Sequence, residues 1–236
     1  ARHVQQIHRL SAHRDGERLR NRFRADAVER GFLLINHEAR LRLVVLDIPI
    51  RVHDAGCVDS ITLRGLMHQL KLELSARKPL FYRSLARFDQ QVTTKFHLDG
   101  APPESILLLG YEPSNVKSRL FLADYLRCAF ELNLTLDQFF RDYNPMYRKG
   151  EDLLKAYTTE LPQPLPGHST IVIINNSSLP FDGVNTLGLM HKAEISPNEA
   201  ETRLINSVML SPTGPEVSLE AQQHFLTTTE ISQKNY

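Results

Sequence analysis

The second half of the chain contains short apolar runs that are separated by turn residues and not by helices. The clearest is STIVIIN at residues 169–175, which is short, apolar and rich in β-branched side chains, as strands are. Similar runs lie at residues 105–111, 187–195 and 201–210, and Ser-Pro-Asn-Glu forms a turn between the last two. Strands without regular helices between them pair antiparallel, so we predict a mainly β fold, a sandwich or jelly roll with helical decoration.

Helical spacing dominates the first part of the chain. Apolar residues recur with the helical period over residues 16–30, and Gly31 ends the run. The other expected elements are helices over residues 61–76, 119–134 and 135–143, and strands over residues 32–35, 43–48 and 92–99.

The chain has no internal repeat, low-complexity block or long linker. We therefore expect one domain over residues 1–236, in which a helical part at about residues 1–87 packs on a β core at about residues 88–215. Residues 145–167 contain three prolines close together before a core strand, and this segment is a candidate mobile lid.

Charge and cysteine content argue against several classes of protein. Lys and Arg number 28 and Asp and Glu number 27, whereas a general nucleic-acid binder carries a concentrated basic excess. No apolar run reaches the roughly 18 residues that a membrane span needs, and the first ten residues lack the apolar core of a signal peptide. Cys57 and Cys128 provide neither a disulfide framework nor a thiolate metal site, which favours a reducing, cytoplasmic location.

His97 and Asp99 are two residues apart in the run KFHLDGAPP, which a glycine and two prolines then end. Alternate residues of a strand point to the same face, so both side chains would lie opposite Phe96 and Leu98. The pair has two interpretations: a hydrogen-bonded polar pair in the core, or two ligands of a metal ion. A second His-x-Asp match, beginning at His13, has no strand around it, so the spacing alone is a weak signal.

A third metal ligand and a cation are predicted on the two strands that follow. Alternation places His191 on one face of the first strand, and Arg203 and Ser207 on one face of the second. Two histidines and one carboxylate leave half of an octahedral sphere open, as in non-haem Fe(II) oxygenases. A buried arginine nearby needs an anion, so a dicarboxylate could bind the metal at one end and Arg203 at the other.

This arrangement resembles the Fe(II)/2-oxoglutarate-dependent oxygenase superfamily, in its taurine dioxygenase and clavaminate synthase-like pattern. The likeness extends over about residues 88–210. VKSRLFLADYLRCAFEL is similar to the stretch in which a small hydroxyl residue, Ser118 in this chain, precedes a helix. STIVIINN is similar to the strand and asparagine that precede the distal histidine. The fold that the resemblance implies is the double-stranded β-helix, a cupin-like jelly roll.

The resemblance implies a dioxygenase, acting as a hydroxylase, that oxidises a small molecule with O2 and 2-oxoglutarate and releases succinate and CO2. Fe(II) would be held by the two histidines and Asp99. The far carboxylate of 2-oxoglutarate would bind Arg203, with Ser118 and Ser207 as further contacts. Because the superfamily's halogenases lack the carboxylate ligand, Asp99 favours hydroxylation or a related oxidation.

Basic and polar residues before the His-x-Asp pair suggest an anionic or amino-acid-like substrate, with surface charge as the alternative interpretation. The candidate substrate-binding residues are Arg83, Arg87, Lys95, Tyr111 and Asn175. The expected partners are this small molecule and O2, without nucleic acid or membrane, and a homodimer is the candidate assembly.

Alternatives remain for one ligand and for the function. His168, in the loop PGHST, competes with His191, but no arginine or lysine follows it ten to fourteen residues later. A cupin-type metal enzyme that does not use 2-oxoglutarate would fit the same fold, and so would a non-catalytic small-molecule-binding protein. Arg203 distinguishes the first of these from an oxygenase, because only 2-oxoglutarate binding depends on it.

Overall fold

The computed structural model describes residues 50–76, 78–178, 188–196 and 201–232. The helix expected over residues 16–30 and the strands expected over residues 32–35 and 43–48 lie outside these ranges, as does all but the first residue of the turn expected at residues 196–199.

Eight strands of the described chain form two antiparallel sheets. The larger sheet comprises β1 (Ile50–Gly56), β2 (Phe81–Asp89), β3 (Ile106–Tyr111), β6 (Ser169–Asn175) and β8 (Leu204–Ser211). The smaller sheet comprises β4 (Ser118–Ala123), β5 (Thr158–Glu160) and β7 (Met190–Ile195). The strand orders are β1-β6-β3-β8-β2 and β5-β4-β7, so the fold is mainly β, as predicted.

Helices accompany both sheets. The larger sheet is covered on one face by α1 (Ser60–Ser75) and α5 (Leu219–Thr227). Three short helices cluster beside the smaller sheet: α2 (Tyr125–Glu131), α3 (Leu136–Asp142) and α4 (Arg148–Leu154), which a 3-10 turn, Lys155–Tyr157, follows. The helix predicted over residues 61–76 is confirmed as α1. None of the described helices is both long and apolar enough to cross a membrane.

Both faces of the larger sheet are buried, and alternation along β8 separates them. Val208 packs with Leu108 of β3 under the helices. Ile205 packs with Leu107 of β3 and Leu122 of β4, between the two sheets. Residues of β8 that alternate in step with Ile205 therefore face the space between the two sheets. The sequence predicted that Arg203 and Ser207, two candidate contacts of the cosubstrate, lie on this face.

The helix predicted over residues 119–134 is wrong in its first part. The segment SRLFLA forms β4, which pairs with β7 over its whole length. The helix begins only at Tyr125, after Asp124 accepts a hydrogen bond from the Arg127 main-chain N–H at 2.9 Å. Pairing with a neighbouring strand overrides local helix propensity in this segment.

The strand predicted over residues 92–99 is also wrong as a regular element. Its one described bridge joins His97 to His191. Before that bridge, threonine hydroxyls replace main-chain acceptors, since Ala193 N–H donates to Thr94 Oγ1 and Ile195 N–H donates to Thr93 Oγ1, both at 2.9 Å. The segment, which we call the edge segment (residues 92–99), thus runs along β7 with side chains completing the pairing.

Candidate metal centre and cavity

His97, Asp99 and His191 come together where the edge segment meets β7. His97 and His191 exchange both main-chain hydrogen bonds, at 3.1 and 3.0 Å, and their ring centroids are 4.2 Å apart. One ligand atom from each of the three residues lies within 4.8 Å of the other two. The group could hold a metal ion, and it unites the three residues that the sequence predicted as ligands.

Hydrogen bonding orients the His97 ring. Its Nδ1 lies 2.6 Å from the main-chain oxygen of Lys95, so this nitrogen carries a hydrogen and donates it. The Nε2 atom is then directed at Asp99 Oδ1, 3.3 Å away, and Nε2 of His191 lies 3.8 Å from the same oxygen. The three atoms that converge are two imidazole nitrogens and one carboxylate oxygen.

The electrostatics of the group favour the metal-binding forms of His191 and Asp99 but not that of His97. Burial, followed by the charge of His97, lowers the pKa of His191 to about 4, so this imidazole is neutral. Burial raises the pKa of Asp99, but the hydrogen bond to His97 and the two imidazoles outweigh it and hold the pKa below its ordinary value. Burial also opposes charge on His97, yet the hydrogen bonds to Asp99 and the Lys95 carbonyl raise its pKa. A metal ion would therefore displace a proton from His97.

A cavity of about 450 Å³ is lined by residues of β1, β3, β4 and β6 and by Arg203, which precedes β8. Arg203, Tyr111 and Ser118 line it, together with the apolar side chains of Leu120 and Val172. The candidate metal ligands His97, Asp99 and His191 are not among the described residues that line this cavity. Two residues predicted to hold the cosubstrate, Arg203 and Ser118, are thus brought to one cavity, and Tyr111, predicted to contact substrate, lies with them.

Arg203 is buried, with 5% of its surface exposed. Its guanidinium donates to Gln90 Oε1 and lies 4.9 Å from the centre of the Tyr111 ring. Its main-chain N–H donates to Asp89 Oδ1 at 2.8 Å. No carboxylate within the described ranges lies at ion-pair distance from the guanidinium, so this buried cation has hydrogen bonds but no anion.

Tyr111 lies within the electrostatic reach of both the cavity and the metal centre. Burial raises the pKa of its phenol, Arg203 opposes this increase, and the Asp99 carboxylate adds to it. A charged group in the cavity or at the candidate metal centre would therefore shift the pKa of Tyr111.

Ser207 is not brought to the cavity. It shares the parity of Ile205 on β8, but it pairs with Leu109 of β3 and Ala86 of β2, and it is not part of the described lining. The predicted second contact to the cosubstrate is therefore not seen in the structure.

The three basic residues predicted to contact substrate have other partners. Arg87 forms an ion pair with Glu112 at 2.9 Å and donates to the Thr229 carbonyl at 2.7 Å. Arg83 donates to the Ser211 carbonyl at 3.3 Å, and Lys95 pairs with Glu151 of α4 at 2.8 Å.

Asn175, which was predicted to contact substrate, is adjacent to Asn176, the asparagine that contacts the candidate metal ligand Asp99. Asn175 Oδ1 accepts the Ser177 main-chain N–H at 3.0 Å, a contact within the loop after β6. Asn176, 3% exposed, binds the main chain of Asp99 instead. The alternation of the strand could have indicated Asn176 in place of Asn175. Residue 176 continues the series of Val172 and Ile174, whose side chains face the other sheet.

His168 lies apart from the metal centre. Its Nδ1 is 2.8 Å from Asp54 Oδ1, and it forms part of the cavity wall. The candidate lid, residues 145–167, contains α4 and β5, and only its last part, from Leu161 onward, lines the cavity.

The chain matches no protein-family model, and no curated protein is significantly similar to it. The functional argument therefore rests on the residues of the site.

Proposed function

We propose that this protein is a non-haem Fe(II)/2-oxoglutarate-dependent oxygenase that hydroxylates, or otherwise oxidises, a small molecule. The observation that supports the proposal is a group of two histidines and one carboxylate that could hold a metal ion, in a protein that also buries at a cavity an arginine with no ion-paired carboxylate among the described residues. A single ligand could chelate a metal ion held by this group at one end and offer a carboxylate to the arginine at its other end.

The order of strand pairing supports a double-stranded β-helix. When the edge segment is counted as a strand between β2 and β3, the pairs are β2 with β8, the edge segment with β7, β3 with β6, and β4 with β5. Counted from β2 and leaving β1 aside, the first strand pairs with the last, the second pairs with the next to last, and the remaining pairs lie inside these. Such nested pairing is that of one long hairpin rolled into two sheets, which is the jelly roll.

The donor set suits Fe(II) rather than a structural metal. Three protein ligands, two imidazole and one carboxylate, leave open positions for cosubstrate and O2. Iron bound by His97, Asp99 and His191 would supply the oxidative chemistry, and the protein supplies the geometry around it. The carboxylate of Asp99 fills the position that a halide takes in the halogenases, which favours hydroxylation.

Arg203 would bind the far carboxylate of 2-oxoglutarate. A guanidinium offers paired donors to a carboxylate, and its burial excludes the water that would screen the pair. Tyr111 lies against the guanidinium, and Ser118 offers a hydroxyl in the same cavity.

The substrate is proposed only as a small molecule, because Arg83, Arg87 and Lys95 are held by other groups. The two cysteines are unpaired in the structure and are the basis for proposing a cytoplasmic location.

The test is an anaerobic titration of metal-free protein with Fe(II) and then 2-oxoglutarate, followed by the visible charge-transfer absorption of the chelate. We expect absorption in the parent, none in His191→Ala, and parental absorption in the control variant His68→Ala, because His68 hydrogen-bonds to Tyr82 outside both the metal group and the cavity. Slow, O2-dependent conversion of 2-oxoglutarate to succinate should follow the same order.

Iron binding without the 2-oxoglutarate band would contradict the cosubstrate and favour a metal enzyme of the cupin type. Absence of iron binding would contradict the proposal altogether and leave His97 and Asp99 as a polar pair.

A further inference from the structure

We infer that Asn176 is a positioning residue of the metal centre, whose side-chain amide holds the main chain of Asp99 so that the carboxylate is aimed at the metal. The inference rests on the proposed function, because it assigns a role toward the metal that this function requires.

The contacts of Asn176 are made at two points on one residue. The Asp99 main-chain N–H donates to Asn176 Oδ1 at 3.0 Å, and Asn176 Nδ2 donates to the Asp99 main-chain carbonyl at 3.1 Å. The same Nδ2 donates to Ser105 Oγ at 3.1 Å, and the side chain is almost fully buried. The amide thus gives Asp99 both hydrogen bonds that a neighbouring strand would give it.

Asp99 needs such a partner because regular pairing ends before it. The described bridge of the edge segment is at His97. Beyond Asp99 the chain continues with Gly100 and reaches Pro102 and Pro103, which lack a main-chain N–H to pair. A ligand on such a segment would sample several directions, and metal affinity falls when a ligand must be ordered on binding.

The loop that carries Asn176 also contacts the approach to the third ligand. Leu189 N–H donates to the Asn175 carbonyl at 2.9 Å. A Cβ atom built on Gly188 would lie 2.1 Å from the Ser177 carbonyl oxygen, so the chain passes this loop at a distance that only glycine allows. The loop after β6 therefore fixes the chain beside Asp99 and the chain that leads into β7 and His191.

The two hydrogen bonds between Asn176 and Asp99 involve only the main chain of Asp99. They leave both carboxylate oxygens of Asp99 available for a metal ion. Residues that orient metal ligands typically change metal affinity by about 10- to 100-fold when they are removed. We expect an effect in this range from Asn176.

The neighbouring residue provides a matched control. Ser177 Oγ accepts the Ser105 main-chain N–H at 2.9 Å and donates to the Ser105 carbonyl at 3.1 Å. It is as buried as Asn176 and makes the same kind of two-point contact, but to a residue that is not a ligand. Ser177→Ala therefore measures the cost to the loop alone.

The experiment measures Co(II) affinity by chelator competition, the visible spectrum of bound Co(II), and the melting temperature of the metal-free protein. In Asn176→Ala we expect Co(II) affinity to fall about 10- to 100-fold with an altered spectrum. In Ser177→Ala we expect similar destabilisation with affinity within about twofold of the parent.

A second variant, Asn176→Asp, separates positioning from charge and guards against misfolding of the alanine variant. It keeps the acceptor for Asp99 N–H, loses the donor, and adds a negative charge near the cation. Positioning predicts weaker Co(II) binding, whereas simple attraction predicts tighter binding.

Parental affinity and spectrum in both Asn176 variants, with a parent that binds Co(II), would overturn this inference and leave the proposed function standing. Tighter binding in Asn176→Asp would overturn it as well. A parent that does not bind Co(II) would overturn both.

Discussion

The two faces of the larger sheet bury arginine in different ways. Under the helices, Arg64 is fully buried and donates to Ser60, Asn206 and the Thr228 carbonyl. Arg87, on the same side, has both an anion, Glu112, and the Thr229 carbonyl. Between the sheets, Arg203 has an amide oxygen, an aromatic ring and no carboxylate within the described ranges.

The contrast that matters is between Arg87 and Arg203. A buried charge is costly unless it is paired and hydrogen-bonded, and Glu112 meets that requirement for Arg87. Arg64 has no carboxylate at ion-pair distance within the described ranges, but its guanidinium donates to three oxygens of its own face. Arg203 has neither such a carboxylate nor that many hydrogen bonds, and it lies at a cavity. Both Arg87 and Arg203 were predicted from the sequence to bind a ligand, and Glu112 distinguishes them.

The largest effect on stability is expected at Glu112, the anion of the helix-covered face. It accepts hydrogen bonds from Arg87, Ser60 and Asn206. Glu112→Gln leaves the buried Arg87 without its carboxylate and should lower the free energy of unfolding by about 4 kcal/mol at neutral pH, measured by urea denaturation.

The pH dependence sharpens the same prediction. Burial raises the pKa of Glu112, but the hydrogen bonds from Arg87, Ser60 and Asn206 outweigh it and hold the pKa below 4.5. The contribution of a carboxylate with a lowered folded pKa is complete above its unfolded pKa and is lost as the pH falls through the folded one. The gap between parent and Glu112→Gln should be constant above about pH 5 and close below it. A gap that widens on acidification would contradict the assignment.

The next effect is expected at Arg87. Arg87→Met removes the partner of a buried carboxylate and should lower stability by about 3 kcal/mol, again by urea denaturation. Arg119 is the matched control, since it forms ion pairs with Glu160 and Glu194 but is half exposed, and Arg119→Met should lower stability much less than Arg87→Met does. Equal costs would show that burial of the pair is not what matters.

The smallest effect on stability is expected at Arg203. Replacing a buried cation that has no ion-paired carboxylate among the described residues by a side chain of similar length removes a desolvation cost as well as hydrogen bonds, so Arg203→Met should change stability by less than about 1 kcal/mol in either direction. A loss as large as that of Arg87→Met would make Arg203 another structural arginine and remove the contrast between the faces.

The sequence was sufficient where local pattern and final structure agree. STIVIIN is a strand at the predicted residues, and His97, Asp99 and His191 come together in one group, as the sequence predicted. Arg203 lies at a cavity together with Ser118, which the family resemblance had indicated. These predictions depended on short-range periodicity and on the chemistry of the donor set.

What the sequence could not provide depended on partners distant in the chain. SRLFLA has an apolar pattern that suits helix or strand, and pairing with β7 decides it. Arg87 and Arg203 look alike until Glu112 is seen beside one of them. Asn176 is recognised only once it lies against Asp99, because no pattern within residues 169–176 distinguishes it from Asn175 except parity.

The most direct test of the contrast is 2-oxoglutarate binding to the Fe(II)-loaded protein, measured anaerobically for Arg203→Met and Arg87→Met beside the parent. We predict that Arg203→Met weakens binding about 100-fold, equivalent to about 2.8 kcal/mol, while Arg87→Met stays within about twofold of the parent. Parental affinity in Arg203→Met, or an equal loss in both variants, would contradict the claim that Arg203 is the cosubstrate's anion site.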